Sequence, residues 1–149
     1  ASVAGLFFVG GLHQRLAGQV SSAGAWAALA GGIGTVIAVL AGSAIMEAAA
    51  TVDSLAGDPQ VAKALWLLEH GFFNALVGPP LIVFTLGIST VAIKHGDPPR
   101  WVGWMGVVSA AGLTLNIALG LGSLAVVGFV WVLVLAIVVT ISSPREQHS

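Results

Sequence analysis

Apolar residues in this chain come in long runs broken by short polar knots. Neither the strict alternation of a half-buried strand nor the single polar face of a water-exposed helix organises them. In hydrocarbon a spanning segment must satisfy its own backbone N–H and C=O groups, so apolar runs of this length predict helices. Five are read: about 1–12, 23–55, 59–93, 101–119 and 124–141, with a polar tail at 142–149. The first is shorter than the roughly 20 residues needed to span. It is expected to be a partial helix, or a spanning helix whose start is missing.

The second run is apolar to about Met46 and carries Ala30, Gly34, Ala38 and Gly42. Small residues four apart share a face and let two helix backbones approach closely in lipid. That face is the expected contact, within the chain or with a partner membrane subunit or second copy. Gly57 ends the helix, and Asp58-Pro59 restarts one with an N-cap and a first-turn proline. The third run is about 35 residues, roughly 50 Å at 1.5 Å per residue, against a hydrocarbon layer of about 30 Å. Its outer part must lie outside the core, or the helix must bend. Pro79 and Pro80 provide the bend, since without N–H groups they release the carbonyls of Ala75 and Leu76. Lys94-His-Gly-Asp-Pro-Pro-Arg100 is a loop, and Trp101 and Trp104 mark an interface where the fourth run begins. The fifth, rich in Val, Leu and Ile, reads as a plain lipid-facing helix.

Composition agrees. Of 149 residues 57% are hydrophobic and only 7% charged, whereas a soluble domain carries about 25% charged residues. Lipid must therefore replace water over most of the surface. The fold class is all-α, a polytopic transmembrane helix bundle of four full spans plus the partial first helix, in a single membrane domain. Arg15, Lys94, Arg100 and Arg145 fall on one side and Lys63 alone on the other. The positive-inside rule then places the C-terminus in the cytoplasm, the 47–70 hairpin outside, and the chain in the plasma membrane. Five tryptophans are available as interfacial anchors.

With no cysteine, disulfides, thiolate metal sites and cysteine nucleophiles are excluded. A net charge of -1 offers nucleic acid no basic patch. No phosphate-binding Gly-rich loop, Gly-x-Ser-x-Gly elbow or His-Glu-x-x-His helix occurs, and no cofactor or metal is expected. What remains is one polar stretch within the third run, Trp66 to Pro80. Counting rise from Lys94 sets Asn74 about 30 Å away, at the outer edge of the hydrocarbon, with Glu69 and His70 one turn further out. Glu47 and Asn116 close their own helices at the same level. Glu47, Trp66, Glu69, His70, Asn74 and Asn116 are thus the candidate ligand-binding residues. Trp66, His70 and Asn74, spaced four apart, would share a face. Titratable groups inside a membrane are functional candidates by default; at the interface the simpler reading is solvation. Asn116, with Thr114, is expected to hydrogen-bond between helices.

Ala64-Leu-Trp-Leu-Leu-Glu-His70, the paired prolines and Pro98-Pro-Arg-Trp-Val-Gly-Trp-Met-Gly106 resemble multi-pass membrane proteins of unknown function common in actinobacteria. The resemblance covers roughly residues 20 to 142 and implies an all-helical bundle, with one more helix before Ala1, in an actinobacterial plasma membrane. It implies no activity or catalytic residue. The expected role is a non-catalytic membrane protein that binds lipid or another hydrophobic ligand, or an accessory subunit of a membrane assembly. The alternative is a membrane enzyme or proton-coupled carrier acting through Glu69, His70 and Glu47.

Overall fold

The computed structural model describes residues 8–12, 23–50, 59–120 and 125–141; of residues 46, 48–50, 62, 69, 70, 73 and 125 only the backbone is described. Among these residues the regular structure is all helical. A short helical stretch, 8–12, is followed by α1 (Ala23–Ala50) and α2 (Pro59–Phe72). One wide π turn, Phe73–Val77, joins α2 to α3 (Gly78–His95); α4 (Arg100–Leu119) and α5 (Ala125–Ile141) complete the chain. The predicted N-cap at Asp58 and the helical continuation past Ala50 lie outside the described residues.

Three stretches are long and apolar enough to cross a membrane: Ala23–Ile45, Asn74–His95 and Arg100–Leu119. The apolar helix Val126–Ile141 is shorter. The central element is α3, which packs on α1 along one side and on α4 along the other, while α5 lies against α4. Hence α3 is the most buried of the three long stretches.

Close approach sets the α1–α3 contact. Gly24, Ala28 and Gly31 recur at helical spacing on α1 and face Pro80, Phe84 and Gly87 on α3. A Cβ on Gly31 would run into the Phe84 backbone and the Pro80 carbonyl, and one on Gly87 into the Ala28 amide and the Gly24 carbonyl. Only hydrogen fits where two helix backbones come this near. The contact face is therefore rotated from the one expected. Ala30 is exposed and Ala38 half-buried, while Gly34 rests against Pro80 and Gly42 against Phe72 of the same chain.

The turn after α3 uses Gly96 at φ 80, whose N–H returns to the Ala92 carbonyl at 2.9 Å. That left-handed backbone costs glycine nothing and would strain any other residue.

The reading of α5 as a plain lipid-facing helix needs correction. Val126, Val130, Leu133 and Ile137 point outward, but Trp131 and Leu135 are buried in the core. The Trp131 indole N–H donates to the Val102 carbonyl at 3.1 Å, and its ring meets Phe84 edge-on, with centroids 6.1 Å apart. An indole in an apolar interior needs an acceptor for its N–H, and the first turn of α4 supplies one. Four tryptophans (Trp26, Trp66, Trp101, Trp104) are more than half exposed, as anchors would be, but Trp131 is a packing residue.

Candidate functional site

The polar stretch identified in the sequence becomes a break in a long helix. Pro79 and Pro80 contribute no N–H, so the carbonyls one turn earlier lose their main-chain donors. The i→i+5 turn Phe73–Val77 lies where those donors are missing, and the chain resumes α-helical bonding with the prolines in the first turn of α3. A single turn of π-helix accommodates one residue more than an α turn, and this changes the phase of everything upstream. Val77, Leu81, Phe84 and Ile88 form the buried stripe of α3. Run back at helical spacing, that stripe would pass Trp66 and Lys63, and both are exposed; the half-buried residues of α2 are instead Val61, Leu65 and Phe72.

This phase change divides the expected Trp66–His70–Asn74 face. Trp66 is 54% exposed, whereas Asn74 is half-buried within the π turn. Across the core Asn116 is 2% exposed, and its Nδ2 donates to Asn74 Oδ1 at 3.1 Å. The Asn116 backbone carbonyl accepts the N–H of Gly120, which closes α4 with φ 63. One residue thereby fixes both the end of α4 and the break between α2 and α3. Of the six candidates, the structure brings Asn74 and Asn116 together. Glu47 is exposed near the end of α1, and the side chains of Glu69 and His70 lie outside the described residues.

Carboxamides neither titrate nor attack. Their hydrogen bond, in surroundings poor in competing donors, sets geometry rather than moving protons. Thr114, expected beside Asn116, bonds its own helix at the Ala110 carbonyl (2.8 Å) and is exposed. Thr85, Ser89 and Thr90 likewise donate to carbonyls four residues back, each at 2.7 Å, as short hydroxyls in apolar helices do. Among the described residues no three His, Asp or Glu side chains gather as a metal-holding group.

Space is as telling as polarity. A small, partly open cleft among Val9, Leu12, Ala25, Ala28, Leu29, Phe84 and Ile88 has a volume of about 10 Å³, room for one water at most. A groove of about 270 Å³ beside Ala136, Ile137, Thr140 and Ile141 is open to the outside and lies away from the asparagine pair. Sequence reasoning missed the π turn, although its signal, Pro79-Pro80 a few residues past an asparagine, was in view.

No protein-family model, curated protein or solved structure matches the chain.

Proposed function

We propose that the chain is a polytopic plasma-membrane protein that acts without catalysis, as an accessory subunit of a membrane assembly or a surface binder of lipid. In this reading it is a bundle of four full spans plus the partial first helix, α5 serving as the fourth span. At 17 residues, α5 covers about 25 Å and requires slight local thinning of the bilayer. By the distribution of basic residues, its end carries Arg145 to the cytoplasm, and the region from Glu47 to His70 lies outside.

The observation that carries this reading is the filled interior. Trp131, Leu81, Ile88 and Leu135 are buried in the core, glycines close the α1–α3 contact, and the small cleft beside Phe84 is about 10 Å³. A small-molecule site normally occupies about 300 Å³ or more. Ligands of that size would therefore bind on the lipid-exposed surface rather than within the described core. The exposure of Glu47 also weighs against a proton-handling centre shared with Glu69 and His70.

Native mass spectrometry of the gently solubilised protein tests the proposal. Retained lipid, a second copy or a partner subunit is the expected result, and a bare monomer would overturn it. Loss of substrate turnover or transport on Glu69→Gln or His70→Ala would establish the enzyme or carrier reading instead.

A further inference from the structure

The apolar surface of α2 is wider than the neighbour that covers it. At 100° per residue, Leu67, Ala64, Leu68, Val61, Phe72 and Leu65 fall on one arc of about 160°, interrupted by Gln60 in the first turn, with Lys63 outside it. Only part of this arc meets protein: Val61, Leu65 and Phe72 are half-buried, Phe72 against Gly42 of α1. Ala64 is exposed, and Leu67 and Leu68 are 55% and 52% exposed.

Depth makes that exposure informative. With Asn74 at the edge of the hydrocarbon, an upright α2 would hold Leu68 and Leu67 about 9–10 Å beyond it. The headgroup layer is only about 5–7 Å thick on each side, so an upright helix would hold two adjacent leucines in water. Within the π turn the exposed surface continues into Ala75 and Leu76, at the level where lipid begins.

We propose that α2 bends at the π turn and lies along the outer headgroup layer, with Ala64, Leu67 and Leu68 toward the acyl chains and Lys63 toward water. The occupant of the uncovered arc is lipid. Burying an amphipathic face at the acyl boundary is favourable without any protein partner. The inference rests on the membrane-spanning reading above, and the experiment separates the two.

Because the chain has no cysteine, single cysteines at Lys63, Ala64, Leu67 and Leu68 can each carry a nitroxide. The protein is reconstituted in vesicles of phosphatidylethanolamine and phosphatidylglycerol, and collisions with oxygen and with a water-soluble nickel chelate are compared. Val108 and Leu133, 70% and 61% exposed on α4 and α5, serve as lipid references. Labels at positions 64, 67 and 68 are expected to show an oxygen-to-nickel ratio several-fold above that at position 63. Nickel accessibility at 67 and 68 equal to that at 63 would mean an upright helix in water and overturn the proposal. Shielding from both reagents would mean that protein covers the arc, and would overturn it equally. Water-like readings at Val108 and Leu133 would defeat the membrane-spanning reading itself.

Discussion

At the scale of single residues, the chain depends on where side chains are missing as much as on where they pack. Gly31 and Gly112 are both helical glycines, yet a Cβ on Gly31 would strike the α3 backbone and one on Gly112 would touch nothing within 4 Å. Gly31→Ala should destabilise by about 1–3 kcal/mol, the usual cost of overpacking. Gly112→Ala should stabilise by about 0.5–1 kcal/mol, since alanine is the better helix former. Thermal unfolding of both variants in one detergent checks the opposite signs. The asparagine pair calls for a double-mutant cycle. Asn74→Ala and Asn116→Ala should couple by about 0.6 kcal/mol, typical of hydrogen bonds between membrane helices. Strict additivity would mean that the 3.1 Å contact contributes nothing. Trp131→Phe keeps most of the ring's packing and removes the bond to Val102, for an expected loss of about 1 kcal/mol by the same unfolding measurement.

At the scale of elements, boundaries were legible wherever a local rule set them. The break at Gly96–Pro99, within the expected Lys94–Arg100 loop, and the start of α4 within one residue of Trp101 followed from glycine and proline chemistry. Facing was less legible, because a uniformly apolar helix has no polar side to mark its outside. Trp131 was hidden among aliphatic residues for that reason, and the face through Ala30, rather than Gly31, looked equally small. The convergence of Asn74 and Asn116 could be read from rise along two helices, but the relation of Trp66 to Asn74 could not. Four-residue spacing predicts a shared face only while the helix stays α, and the π turn lies between them. If the paired prolines cause that turn, replacing both with alanine restores two N–H donors and removes its reason. Pro79→Ala/Pro80→Ala should then convert Phe73–Val77 to regular α-helix and rotate α2 by about 100°. In cysteine-accessibility mapping, the protected positions should move by one residue, from Val61 and Leu65 to Ala62 and Trp66. An unchanged pattern would mean that the Asn74–Asn116 bond alone holds the wide turn.

At the scale of the whole molecule, orientation depends on very few charges. Among the described residues Lys94 and Arg100 flank the α3–α4 turn, and Lys63 is the one basic residue toward the other end. Basic residues in short loops resist translocation, so the α3–α4 turn should stay in the cytoplasm and α2 should face outward. Lys63 precedes the span Asn74–His95 and His95 ends it, and both are exposed, which makes them a matched pair of reporters. In intact cells a membrane-impermeant maleimide should label Lys63→Cys, and should reach His95→Cys only after permeabilisation. The reverse pattern would invert the topology while keeping the span. Labelling of both sites from outside would mean that α3 does not cross the membrane. That outcome would leave the glycine contact with α1 and the asparagine pair intact as packing devices, but it would remove the argument from depth that sets α2 at the outer surface.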